Sequence, residues 1–447
     1  MAEESKALGG EAVALLQRMI RFNTVNPPGN EAEAQAHLRS LLEPQGWECE
    51  TLARTPERPN LVARLRGAEP GPNLALISHV DTVPADPAEW SHDPWGGEIA
   101  DGHIWGRGAL DMKDQVSSET TACVALAREG WRPARGDLLL IVAADEEMGA
   151  HYGAKWLCEE RPDAVRCDMV INEGAGEMAR YDGRRLFTLA VGEKGVFRFK
   201  LHARGVAGHG SIPGVGDNAL LKLAEPLRRL REQPARESTA DTDLFLKRLL
   251  GPDHGGPDRG LATMRARDPE FAGLLAEPML GVTLAPTMAA AAPASNMIPS
   301  HAELTVDCRV PPEMEEAEVR ERIASVLGDA ATGGDWDIEF IEDVVGNRSD
   351  YGGPLAEAIE AWVGEVDPEA EVLPMVMPGF SDSHWFRKAF GATVYGFCPQ
   401  STMPLTLARS LVHSADERVP IADVELMTDC FYQLPKRVMG TAGAGDE

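Results

Sequence analysis

Basic residues are scarce: 43 Lys and Arg stand against 71 Asp and Glu, giving a formal net charge of −28 over 447 residues. Phosphate backbones and anionic lipid surfaces are recognised through basic patches, so this balance argues against nucleic acid or membrane as a partner. Cysteine is sparse as well. The seven, at 49, 123, 158, 167, 308, 398 and 430, are odd in number and none form a CxxC pair. That excludes a disulfide framework and a structural cysteine-type zinc site, and points to reduced thiols in a cytoplasmic protein. No uninterrupted apolar stretch reaches membrane-spanning length. Residues 1–10 lack the basic segment and apolar core of an export signal, and the expectation is again the cytoplasm. No GxSxG elbow or phosphate-binding P-loop is present. Residues 214–219 loosely match a dinucleotide GxGxxA, but they follow a loop histidine instead of a strand and are discounted.

What is there is ordinary for a globular enzyme, with 43% hydrophobic and 26% charged residues. Apolar spacing predicts helices over 11–22 and 31–42, then strands over 47–52, 60–65 and 74–79. Residues 84–102 read as a loop. A helix over 115–128 and strands over 137–144 and 168–174 follow, the strands apolar throughout, as in a sheet covered on both faces. From about 193 the pattern becomes strand, helix, strand, strand, helix, strand, the ferredoxin-like order. Here 196–203 alternates apolar and basic residues, and 237–277 looks like a charged insertion. Helices and buried strands return after 346, ending in a helix over 421–434 and a tail expected to be disordered from Gly440. The expected fold class is α/β, a mixed zinc-peptidase-type sheet flanked by helices with an inserted ferredoxin-like α+β domain. Its segments are 1–192, 193–346 and 347–447.

The chemistry-bearing residues gather at strand ends. His79 and Asp81 follow the apolar run 74–77, and alternation puts both on one side of the chain. They suit a metal ligand with its orienting carboxylate, or a turn entrance capped by Asp81. Asp111 follows the glycine-rich Gly106-Arg107-Gly108. Glu146 and Glu147 end the strand 137–144, and Glu173 ends the next. Sites in open α/β sheets collect at such carboxyl ends. Mixed histidine and carboxylate donors suit zinc or a related divalent ion, and a lone Asp could bridge two of them. Adjacent glutamates cannot point the same way on an extended segment, so one could bind metal while the other acts as general base. A solvated acidic turn is the plain alternative.

Taken together, Ser78-His79-Val80-Asp81, Gly106 to Lys113, Asp145-Glu146-Glu147, Glu173 and Gly208-His209 resemble the M20 family of metallopeptidases and amidohydrolases. The family includes glutamate carboxypeptidase, acetylornithine deacetylase, succinyl-diaminopimelate desuccinylase, aminoacylase and dipeptidases. The motifs stand in family order over about residues 15–434. The resemblance implies two Zn²⁺ ions, with Co²⁺ or Mn²⁺ as substitutes. One is held by His79, Asp111 and Glu173, the other by Asp111, Glu147 and His413. It implies that Asp81 tunes His79 and that Glu146 is the general base, moving a proton from the attacking water to the leaving nitrogen. It also implies a cis peptide at Asp111-Met112.

By the same resemblance the inserted domain is a lid that dimerises, and His209 reaches the partner subunit's active site. Asn296 lies near the substrate and Arg309 holds a substrate carboxylate, for which a guanidinium is the natural partner. Gly379 and Ser381 belong to a substrate loop. The family often continues Met-Lys-Gly-Gly where this chain has Met112-Lys113-Asp114-Gln115. Asp114 either perturbs the site or sits at a helix start, where negative charge is favoured.

The expected activity is hydrolysis of an amide or peptide bond beside a free carboxylate, on an N-acyl amino acid or short peptide, leaning toward the carboxypeptidase and aminoacylase side. An acetylornithine deacetylase-like or desuccinylase-like deacylase is the alternative. A non-catalytic binding protein on a hydrolase scaffold is the reading from another class.

Overall fold

The computed structural model describes residues 3–328 and 336–442. The chain divides into two compact units. The first comprises residues up to Val191, Ser349–Pro374 and everything from Ser381 onward; the second comprises Gly192–Arg348 and Met375–Phe380.

The first unit is built on a nine-stranded sheet. Four strands at its centre, in the spatial order Leu138–Ala143, Leu74–His79, Met169–Asn172 and Thr393–Gly396, run parallel to one another. Antiparallel strands extend it, with Pro59–Leu65 beside Leu138–Ala143 and Glu48–Ala53 beyond. Every position of Leu74–His79 and Leu138–Ala143 is buried, so both faces are covered. Helices Glu3–Ile20, Lys113–Arg128 and Ile421–Met439 pack on one another in one helical layer. Their shared core includes Leu16, Met19, Val116, Leu126, Met427 and Phe431. All carboxyl ends of the parallel strands open at one edge of the sheet, and this fixes where side chains that are not packed can converge.

Several features escape the hydropathy pattern, among them the paired strands Met178–Tyr181 and Arg184–Glu193 of the first sheet. Within the expected loop 84–102, and just beyond it, Glu98–Ala100 and His103–Trp105 form a hairpin whose third strand is Arg418–Pro420. These strands are three residues each, too short for alternation to show, and their partner is remote in sequence. The tail is not loose at Thr441 and Ala442: Trp131 Nε1 donates to Thr441 Oγ1 at 3.1 Å and Ala442 N–H to the Arg132 carbonyl at 3.0 Å. The remainder of the tail, from residue 443, lies outside the described residues.

The second unit has its own antiparallel sheet. Thr283–Ala290, His301–Val310, the chain from Gly195 to Arg204 and Trp336–Phe340 lie side by side in that order. Numbered along the chain the order is 2-3-1-4, the ferredoxin-like arrangement. Phe199, Leu201, Leu304 and Val306 face a core shared with Val319 and Ile323 of helix Glu316–Leu327. The opposite face carries Lys200, His202, Glu303 and Asp307, as the alternation in the sequence predicts. The insertion 237–277 is mostly helical, including Ala240–Leu250 and Gly256–Arg267.

Candidate active site

At the open edge of the first unit, strand ends bring together residues that are far apart in the sequence. His79 closes its strand, the turn Glu146–Met148 follows the neighbouring strand, and Glu173 follows the strand on the other side. Asp111 and His413 arrive on loops. His79 Nε2 lies 3.1 Å from Asp111 Oδ1 and 3.9 Å from Glu173 Oε1. His413 Nε2 lies 3.1 Å from both Asp111 Oδ2 and Glu147 Oε2. The Asp111 carboxylate therefore stands between two imidazoles, one oxygen toward each. Among the described residues, His79/Asp111/Glu173 and Asp111/Glu147/His413 are two of three groups whose donor atoms lie within 4.8 Å of one another.

The backbone holds these side chains in unusual places. His413 and Asp145 both adopt positive φ, 59° and 66°, in a region where side chains other than glycine are uncommon. The peptide Asp111-Met112 is cis. Gly108 has φ +84°, and a Cβ there would come 2.8 Å from Thr82 Cγ2, so the turn before Asp111 needs glycine.

Asp81 is fully buried and acts as a hub. Its Oδ1 is 3.5 Å from His79 Nδ1 and accepts the Glu146 amide at 3.1 Å, while Oδ2 accepts the Glu147 amide at 3.3 Å. Its main-chain carbonyl, 3.1 Å from His79 Nδ1, orients the imidazole together with Oδ1, and its carboxylate fixes the turn that bears both glutamates. Asn26, which the sequence did not single out, bridges Asp81 Oδ2 at 2.8 Å and Asp145 Oδ1 at 2.9 Å. Arg58 pairs with Asp145 at 2.8 Å and with buried Glu31 at 2.6 Å. Glu417 was missed too. Fully buried, it accepts the amides of Gly108, Leu110 and Asp111 at 3.1, 2.7 and 3.1 Å and pairs with Arg107. It holds the loop that presents Asp111, and its only signal in the sequence was its nearness to His413.

The electrostatics follow from crowding carboxylates in a poorly solvated place. Burial, then the charge of Asp111, pushes Glu173 up to about 8. Burial and the charge of Glu173 raise Glu146 well above the carboxylate range, and burial raises Glu147. Burial works to raise Asp111 too, but its hydrogen bonds to His413 and His79 hold it well below its ordinary value. Hydrogen bonds to Asp111 and Glu147 lift His413 to about 10. Glu147 Oε1 is buried without a hydrogen-bond partner. Such a cluster is a cation receptor: an orphaned oxygen, neighbouring acidic groups that oppose one another's ionisation, and two imidazoles aimed at one carboxylate. The donor set fits a pair of divalent ions sharing Asp111.

The residues that follow Asp111 are structural. Lys113 is buried and donates to the carbonyls of Met19 and Phe22 at 3.1 and 3.0 Å. Asp114 lies buried in the first turn of its helix, where burial raises its carboxyl well above the usual range and favours the neutral form.

The remaining expected residues are distributed differently. Ser381 is buried in the first unit, where its Oγ accepts the Ser383 amide at 3.2 Å. Gly379, His209, Asn296 and Arg309 belong to the second unit. There His209 and Asn296 are neighbours: Gly208–His209 pairs with Met297–Ile298, and Gly210 N–H donates to the Asn296 carbonyl at 2.7 Å. Arg309 is half-buried, its Nε 2.8 Å from Asp307 Oδ1.

A mixed sheet with His and carboxylate donors converging on one aspartate at its strand ends defines a metal-dependent hydrolase. The model of Peptidase family M20/M25/M40 matches residues 75–437, and the chain belongs to that family of hydrolases. A succinyl-diaminopimelate desuccinylase of Rhodospirillum centenum is 29% identical over 449 positions, covering 96% of this chain and 97% of the relative. An M20 family metallo-carboxypeptidase of Sulfolobus solfataricus has a similar fold, with TM-score 0.70 and 18% identity over 98% of this chain and 99% of its own. A dinuclear metal-binding M20 peptidase of Bacillus subtilis superposes with TM-score 0.61 and 16% identity over 98% and 99% of the two chains.

Proposed function

We propose that this protein is a dizinc deacylase that hydrolyses the amide bond of an N-acyl amino acid carrying free carboxylates, with N-succinyl amino acids as the favoured class. The observation that carries the reading is the Asp111 carboxylate set between His79 and His413, with Glu146 on the adjoining turn. His79, Asp111 and Glu173 would hold one ion, and Asp111, Glu147 and His413 the other. When bound, the metal pair supplies Lewis acidity for the scissile carbonyl and lowers the pKa of water. Glu146 takes the proton of the attacking water and returns it to the leaving nitrogen. Asp81 keeps His79 turned so that Nε2 faces Asp111. Arg309, held by Asp307, binds a substrate carboxylate through its guanidinium. The succinyl preference is supported by the name carried by relatives that align over nearly the whole chain.

The second unit is read as the lid and dimerisation domain of a cytoplasmic homodimer, with His209 serving the partner subunit's site. Leu221 and Met288, each 70% exposed, support a surface on this unit that another copy covers. Mixing inactive His209→Ala with inactive Glu146→Ala protein should then restore part of the activity through heterodimers. No recovery despite subunit exchange would refute the shared site.

The substrate is tested by a hydrolysis panel of N-succinyl, N-acetyl and dipeptide substrates with Zn²⁺, Co²⁺ or Mn²⁺ added to chelated protein. The highest kcat/KM should fall on an N-succinyl amino acid, with KM raised in Arg309→Ala. Preference for dipeptides would move the protein to the peptidase side of the family, and metal-independent turnover would overturn the mechanism.

A further inference from the structure

The third donor group lies in the second unit, on the open face of its sheet, and consists of His202, His301 and Glu303. Strand register explains why they meet. His202 stands directly opposite Glu303, and His301 opposite Arg204, two residues along on the same face. The rings of His202 and His301 are stacked with centroids 5.8 Å apart. Glu303 Oε1 is 3.4 Å from His202 Nδ1 and 3.3 Å from His301 Nε2. Zinc bonds of about 2.0–2.2 Å in a tetrahedron place neighbouring donors about 3.3–3.6 Å apart, so both measured edges already have the length a bound ion would impose.

The surroundings are those of a ligand set as well. The other nitrogen of His202, Nε2, lies 2.7 Å from the Glu339 carboxylate on the next strand. A carboxylate on the far nitrogen is the usual partner of a metal-binding imidazole, because it fixes the tautomer that leaves the near nitrogen free to coordinate. The other oxygen of Glu303, Oε2, is taken by Lys200 Nζ at 3.2 Å, which leaves Oε1 as the donor. The hydrogen bond from Lys200 also helps keep the Glu303 carboxyl below its ordinary range, hence ionised. Two imidazoles, one carboxylate and an open fourth position match the donor count of zinc sites that retain a water.

We propose that His202, His301 and Glu303 form a separate binding site for a divalent transition metal such as Zn²⁺, independent of the paired ions at Asp111. A metal there would tie the strands Phe199–Arg204 and His301–Val310 together across the sheet.

The test is Zn²⁺ titration of the chelated full-length protein, read as metal retained per chain after gel filtration. The wild-type chain should retain one equivalent more than His202→Ala/His301→Ala, and Glu303→Gln should bind that equivalent more weakly. Zn²⁺ should also raise the Tm of the wild-type chain further than that of the double variant, since a ligand bound only by the folded state stabilises it. Circular dichroism in metal-free buffer checks that the variants fold, and His301→Gln offers a milder replacement if the double variant does not. Equal retention by the wild-type and double-variant chains overturns the site. Because the comparison is a difference between chains that both keep Asp111, it reads the same whether or not the paired site behaves as proposed.

Discussion

The strand Leu138–Ala143 of the first unit is buried at all six positions, whereas Phe199–Arg204 of the second alternates buried and accessible residues. The first sheet is covered on both faces, so its central strands are mostly apolar and ionisable groups are pushed to the ends. There they converge from four separate segments onto Asp111. The second sheet has a core on one face only, and its ionisable groups spread across the other face in register, strand by strand. Convergence at an edge gives a crowded, poorly solvated cluster whose pKa values are displaced. Spreading over a face gives hydrated pairs whose organisation comes from strand pairing.

The contrast is broken most sharply at the edge of the first sheet. Glu146→Gln should lower kcat by about 10²–10⁴-fold, the usual contribution of a positioned general base, while bound metal stays constant. Full activity in the variant would remove Glu146 from the chemistry. Next in size, Leu140→Ala in the doubly covered strand should cost about 2–5 kcal/mol in urea unfolding, since Leu140 is fully buried and leaves a cavity. Glu339→Ala on the open face of the second sheet should change stability by no more than about 0.5 kcal/mol in metal-free buffer. Comparable losses from the two would mean the sheets do not differ as described. Asp81→Ala should reduce metal affinity or kcat/KM by about 10–100-fold, because it orients a donor without being one.

The last expected effect is a pH dependence. Glu119 is fully buried behind the His79 strand, accepting hydrogen bonds from Ser78 Oγ and Gln115 Nε2 at 2.8 Å each. Burial pushes its carboxyl up to about 8. In the unfolded chain such a group titrates near about 4.3, so between the two values the folded state holds the additional proton. The resulting stability is fully present below the unfolded value and is lost as pH rises through about 8. Glu119→Gln should therefore flatten the fall of Tm between about pH 5 and pH 8, and an unchanged slope would show that Glu119 is ionised in the fold.

Much of this was legible in the residues. The apolar runs ending at Ile77 and Ala144 announce doubly covered strands, and the alternation at 196–203 announces an open face. The site residues His79, Asp111, Glu146, Glu147, Glu173 and His413 each stand at a break in such a pattern. Asn26, Arg58 and Glu417 were not legible, for a common reason. Each supports the site through a buried hydrogen bond to Asp81, Asp145 or the Asp111 loop, and local sequence carries no record of a partner so remote. The hairpin at Glu98–Trp105 escaped for the same reason, since Arg418–Pro420 completes it from the far end of the chain.

The sequence by itself determined which residue types would be available and which strands would be buried, because hydropathy period and chain breaks are local properties. Only the tertiary structure decided that one oxygen of Asp111 faces His79 and the other His413, and that His202 meets Glu303 and His301 across two strands. Those facts depend on strand order and register, which long-range packing sets.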